Sequence, residues 1–191
     1  MALNFPIKRK LTTKIVNKAN LGMQLEDIIN QSNEYYLVNN IAGIHKKPTP
    51  VQIVKVDYPA RNKAKIVEAY YKTPSTTDYN GIYKGKYIDF DAKENHNKTA
   101  FPLKNIALHQ ITHLKNIINH GGIGFLIVFW NLYNEFYLLP MDIVFKYIDE
   151  SYKDGRKSIP YSEFKENAYL IKEGYIPRLN YLKVVDKVYF R

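Results

Sequence analysis

Asp78, Asp89, Asp91 and Lys93 crowd into one short stretch, PSTTDYNGIYKGKYIDFDAKE (residues 74–94), of a chain that is otherwise strongly basic. Ionised carboxylates forced together repel one another unless a cation is shared between them. Lys93 alone cannot neutralise three. With oxygen ligands and no cysteine in the sequence, a hard cation, Mg²⁺ or Mn²⁺, is favoured over zinc. Such an ion polarises a phosphate oxygen and lowers the pKa of a bound water, which is the chemistry of phosphodiester hydrolysis. A lysine two residues beyond a ligand can orient that water or stabilise charge on the pentacovalent phosphorus. The pattern D-x12-D-x-K is short enough to recur by chance, and a solvated hairpin with ordinary charges is its competing reading.

The stretch reads as strand, glycine-containing turn, strand. On the second strand Ile88, Phe90 and Ala92 face the core, and Tyr87, Asp89, Asp91 and Lys93 face the other way. Asp91 and Lys93 are then neighbours, and hairpin pairing brings Asp78 across to them. Two helices flank the hairpin in sequence. The later one, expected over Leu103 to His120 and closed by Gly121-Gly122, carries Gln110 in the middle of an apolar stripe. A polar side chain there needs a partner, either in the core or in a metal shell. The earlier one, expected over Asn20 to Asn39, places Glu26 one step from its apolar stripe, where it either faces the same site or is a surface glutamate. His109 and His113 stand at i, i+4, a zinc spacing, but on the polar side of their helix.

Around this centre, GIHKK (residues 43–47) reads as a short strand. The segment Pro48 to Pro74 is fenced by prolines. Val51 to Asp57 and Lys65 to Lys72 suit strands, separated by the basic turn YPARNK. Paired strands without an evident core partner suggest a projecting hairpin. IGFLIVFW (residues 123–130) is a strand covered on both faces, Glu135 to Leu139 another. Helical pieces are expected over Met141–Tyr152 and Ser162–Leu170, with an amphipathic segment after Pro177. The order predicts a mixed α/β domain with helices flanking a central sheet. Residues 1–18 read as a basic N-terminal arm and 19–191 as a single domain, with the hairpin inserted at about 48–74.

Composition narrows the partner. The chain has 28 Lys+Arg against 18 Asp+Glu, a formal charge of +10, which points to an anionic partner: nucleic acid first, a membrane surface second. The 17 tyrosines and 9 phenylalanines either stack on bases or fill the core. Absence of cysteine excludes disulfides and thiolate metal sites and suits a reducing compartment. No apolar run approaches the ~18 residues of a membrane-crossing helix, and the basic N-terminus lacks the apolar run of a secretory signal. A cytoplasmic protein is expected.

The segments IHKKPTPVQIVKV, PSTTDYNGIYKGKYIDFDAKE, FPLKN and YLLP resemble the RecU-type Holliday junction resolvases of low-GC Gram-positive bacteria, from about Asn20 to the C-terminus. The resemblance implies a restriction-endonuclease-like α/β fold of the PD-(D/E)xK class, with a mixed central sheet flanked by helices and a protruding β-hairpin stalk. It implies a homodimer that uses Mg²⁺, with Mn²⁺ as a possible substitute, to resolve four-way DNA junctions in recombination and repair. The family's metal shell falls on Thr76, Asp78, Asp91 and Gln110, with Lys93 as transition-state stabiliser; Glu26 is a further catalytic candidate from its place on the first helix, not from the resemblance. Asp91 departs from the family's usual glutamate, one methylene longer. Pro48–Pro74 becomes the stalk, with Arg61 near its tip and Lys46, Lys47 and Lys55 along the DNA backbone. Recombinase filaments and branch-migration proteins are the protein partners the resemblance implies. A restriction-like duplex endonuclease and a non-catalytic junction-binding protein are the alternatives. A membrane-surface role leaves the acidic hairpin unexplained.

Overall fold

The computed structural model describes residues 25–60, 63–72 and 76–190. The basic arm 1–18 and Arg61 lie outside them. Helix α1 (Leu25–Val38) precedes β1 (Gly43–Lys46), the hairpin β2 (Val51–Asp57) and β3 (Lys65–Tyr71), and the hairpin β4 (Tyr79–Tyr83) and β5 (Lys86–Asn95). There follow β6 (Ala100–Pro102), α2 (Leu108–Asn119), β7 (Ile123–Trp130), β8 (Glu135–Pro140) and α3 (Met141–Ser151). The chain closes with β9 (Ser158–Pro160), α4 (Tyr161–Asn167), β10 (Tyr169–Ile171) and α5 (Tyr181–Tyr189).

Six strands form one mixed sheet in the order β1-β4-β5-β7-β8-β10. Only β5 and β7 run parallel, because α2 crosses between them; the other neighbours are antiparallel. One face packs on α1 and α5 through Ile29, Tyr36, Phe90, Phe125, Tyr181 and Val185. The other packs under α2, α3 and α4 through Leu114, Leu126, Val128, Trp130, Val144 and Phe164. This is the α/β sandwich expected of alternating strands and amphipathic helices. IGFLIVFW is buried along nearly its whole length, as its lack of alternation implies.

A ladder of rings sets the register that matters. Tyr79, Phe90 and Phe125 are register partners on β4, β5 and β7. Their rings stack with centroids 4.9 Å apart at each step. Cross-strand aromatic pairs hold a ladder against slippage, and a slip of one residue would exchange the two faces of the strand. With Tyr79 opposite Phe90, the next residues outward, Asp78 and Asp91, must face each other.

β2 and β3 form a separate two-stranded sheet. Every residue of the pair is exposed except the partly covered Val56. It is a stalk with water on both faces. Two expectations need correction. The helix expected from Leu103 begins at Leu108: Leu103–Asn105 makes a single 3-10 turn, Ile106 is extended, and Gln110 caps the true start at Ala107. The helix expected over Ser162–Leu170 stops at Asn167, because Tyr169–Ile171 turns extended to pair with β8. An open sheet edge beside a short amphipathic run outweighs helical spacing there.

Candidate active site at the β4–β5 hairpin

Asp91 is fully buried on β5, on the face turned toward α2. Its Oδ1 accepts a hydrogen bond from the backbone N–H of Asp78, 3.2 Å away, and the two carboxyl groups lie against each other. Burial and the facing Asp91 carboxylate push the Asp78 carboxyl up to about 7, while Lys93 and Lys46 pull it back. Lys93 Nζ stands 2.6 Å from Asp91 Oδ2. That oxygen is buried and receives no aligned hydrogen bond, so the contact is an ion pair only. Lys93 thus faces two carboxylates, Lys46 being paired with Glu26. Such a deficit of positive charge suits a divalent cation.

Among the described residues no three His, Asp or Glu side chains gather around one point. Completing a cation's shell therefore falls to neutral oxygens. Gln110 is buried on α2. Its Oε1 accepts from Ala107 N at 3.1 Å, half of a capping box in which the alanine supplies no side-chain acceptor. A carbonyl oxygen keeps a second lone pair. α2 runs back along β5, and one turn past Gln110, His113 touches Asp89, so Gln110 lies toward the level of Asp91. Thr76 directs its hydroxyl at the carbonyl of Thr77, 3.4 Å away. The donors present, two carboxylates with hydroxyl and amide oxygens, are the set a hard cation takes.

Glu26, in the first turn of α1, is held at the rim by Lys46 Nζ at 2.5 Å, with both side chains about two-fifths exposed. Glu94, one residue after Lys93, accepts from Leu25 N at 3.1 Å and so ties the start of α1 to the end of β5. Lys55 is exposed on the stalk. Lys47 was expected to track DNA, but its ammonium is turned inward. It donates to Thr77 Oγ1 at 3.0 Å and to Asp89 Oδ2 at 2.9 Å.

Sequence reasoning missed what Asp89 and His113 do. Asp89 is wholly buried yet holds four partners: Lys47, Thr77, Tyr87 and His113. His113 leaves the polar side of α2 for the sheet because α2 sits close to β7 at Gly124. A Cβ there would meet Ile118 at 3.1 Å and Leu114 at 3.3 Å. The available signal was the alternation that put Asp89 on the same face as Asp91.

A mixed sheet that presents two apposed carboxylates and a lysine from adjacent strands, with helices on both faces, is consistent with a nuclease-like fold. Residues 20–187 match the family described as "RecU: Recombination protein U". The chain is 53% identical over 182 residues to "Holliday junction resolvase RecU" of Bacillus cereus (strain B4264), covering 95% of this chain and 91% of that protein. It is 55% identical over 172 residues to the protein so named in Bacillus mycoides (strain KBAB4), and 56% identical over 172 residues to that of Bacillus thuringiensis (strain Al Hakam). Each of these two alignments covers 90% of this chain and 86% of the relative. The chain belongs to the RecU family.

Proposed function

We propose that this chain is an endodeoxyribonuclease that resolves four-way DNA junctions in homologous recombination and repair, by Mg²⁺-dependent hydrolysis and as a symmetric homodimer. One observation carries the chemistry: Asp78 and Asp91 are held face to face, with Lys93 Nζ ion-paired to Asp91 Oδ2 at 2.6 Å. Membership of the family and the relatives' printed name support the junction as substrate.

Asp78 and Asp91 would hold the ion, with Thr76 and Gln110 as neutral donors. When bound, Mg²⁺ supplies charge neutralisation at the phosphate and a water acidified toward neutral pH. Lys93 has two roles in sequence. In the free protein it balances Asp91, and with DNA in place its ammonium stabilises the extra negative charge on phosphorus in the transition state. Glu26 and Lys46, paired at the rim, lie where a phosphate would compete for the lysine. Breaking that exposed pair costs little.

Lys46, Lys55 and Arg61 are the cations we assign to phosphate contacts, and the stalk is the element that selects branched DNA. A protrusion enters an open crossover and is turned away by a continuous duplex. Two-fold symmetry would set paired nicks in opposed strands. No helix among the described residues is long and apolar enough to cross a membrane; we place the activity in the cytoplasm, where the DNA is. Recombinase and branch-migration proteins are partners we infer from the family alone.

The test compares cleavage of a four-way junction with that of linear duplex of the same sequence, in Mg²⁺, in Mn²⁺ and with chelator. Expected is symmetric nicking of the junction that chelator abolishes. Equal cutting of the duplex would make the protein a duplex endonuclease. Binding with no metal-dependent cutting would make it a junction-binding protein.

A further inference from the structure

Asp89 is a fully buried carboxylate that the proposed hydrolysis does not use. Its surroundings differ from those of Asp91, two residues on. Lys47 Nζ donates to its Oδ2 at 2.9 Å and Tyr87 OH at 3.0 Å. His113 Nε2 lies 3.0 Å from the same oxygen, a contact that requires the ring proton on that nitrogen. Thr77 Oγ1 donates to Oδ1. An ionised carboxylate offers about four acceptor sites, two on each oxygen; three donors crowd Oδ2 and one meets Oδ1. Asp89 is thus saturated with protein donors on one oxygen and tied to Thr77 by the other, whereas Asp91 faces the Asp78 N–H and the Lys93 ammonium.

Three of the four partners come from segments outside β5 that each carry a residue of the proposed cage or its approach; Tyr87 is on β5 itself. Thr77 stands between Thr76 and Asp78. His113 stands on α2, one turn after Gln110. Lys47 follows Lys46 at the end of β1. Lys47 and Thr77 also flank the stalk on its two sides, where the chain leaves the body and where it returns. There Lys47 N donates to Asp78 O at 2.7 Å, and Lys47 Nζ bridges Thr77 Oγ1 and Asp89. The neck of the stalk and the backbone of Asp78 are therefore fastened, through Lys47 and Thr77, to one buried group.

We propose that Asp89 is a positioning residue, which locks the stalk's neck to the cation cage and so holds Asp78 opposite Asp91. The role rests on the junction-nuclease reading for its substrate but not for its geometry. Loss of the Asp89–Thr77 bond lets the 76–78 segment relax away from β5. The carboxylates then face each other less of the time, and cation binding weakens before DNA binding does. Residues that orient metal ligands from outside the coordination sphere change metal affinity or activity by roughly 10–100-fold when removed.

The test uses the full chain with Asp89→Asn, Thr77→Val and Thr77→Ser. Mn²⁺ binding is measured directly by calorimetry without DNA, and junction cleavage in Mg²⁺ is resolved into kcat and KM. Thr77→Val keeps the side-chain shape and removes the hydroxyl, while Thr77→Ser keeps the hydroxyl. Expected for Asp89→Asn and Thr77→Val is about ten-fold or more weaker Mn²⁺ binding, kcat lower by roughly 100-fold, and KM within about three-fold of wild type. Thr77→Ser should stay within about three-fold of wild type in all three. If Asp89→Asn fails to fold, the Val and Ser variants decide alone. Wild-type Mn²⁺ affinity in Thr77→Val, or equal impairment of Val and Ser, overturns the positioning role. If wild type fails to cut junctions while the Mn²⁺ pattern holds, the nuclease reading falls and the positioning role stands.

Discussion

Asp78→Asn should make the cation-free protein more stable while ending its cleavage. Asp78 ionises at about 7 instead of the ordinary 3.8, because it is buried against Asp91. That interval corresponds to about 4 kcal/mol at ~1.36 kcal/mol per pH unit. Asp78 is only half-buried, and solvent screening brings the figure to about 2 kcal/mol. The sign follows from linkage: a carboxyl harder to ionise in the folded state adds no penalty below pH 3.8. The penalty grows between pH 3.8 and about 7, and is complete above it. Asparagine has the same shape and no charge, so it removes the penalty. In chelator at pH 8, thermal unfolding of Asp78→Asn should move up by roughly 4–8 °C. At pH 4 the two proteins should unfold together. Junction cleavage should fall at least about 1,000-fold, since a ligand of the cation that supplies the acidified water is lost, while junction affinity stays within a few-fold. An Asp78→Asn protein less stable than wild type at pH 8 in chelator would refute the reasoning, because the pair would then be a stabilising structural contact.

Three further outcomes are expected. Lys93→Ala should lower cleavage by about 100-fold or more with gel-shift affinity for the junction nearly unchanged, and parallel loss of both would mean that Lys93 serves binding. Mg²⁺ binding at pH 6.5 should release a proton from Asp78, visible as a dependence of calorimetric heat on buffer ionisation enthalpy that disappears in Asp78→Asn. Phe90→Ala removes the middle ring of the Tyr79–Phe90–Phe125 stack and should cost about 3–5 kcal/mol in chemical denaturation, as full burial of a phenylalanine implies.

The centre of the molecule was legible for a physical reason. YIDFDAKE alternates strictly, so the sequence alone places Asp89, Asp91 and Lys93 on one face, and a short turn dictates the hairpin that delivers Asp78. The stalk was readable from its proline fences and the absence of any apolar partner. What stayed hidden depends on distant chain segments. Lys47 reaches Asp89 across 42 residues and His113 across 24, and neither carries a local mark of burial. On a helical wheel His113 belongs with water; the proximity of α2 to Gly124 gives it the sheet. Tyr169–Ile171 likewise has helical spacing and becomes a strand only because β8 has a free edge. Gln110 was singled out as a polar group needing a partner, and the structure gives it the start of its own helix.

The β2–β3 ribbon has a practical meaning for engineering. It contributes no side chain to either core cluster, and Lys72 N donates to Pro50 O at 3.0 Å, closing the ribbon at its root. Excising 51–71 and bridging Pro50 to Lys72 with a tight two-residue turn would leave the rest of the architecture untouched. A ribbon of another length or composition could be grafted on the same two ends, making the projection an exchangeable module on a constant body.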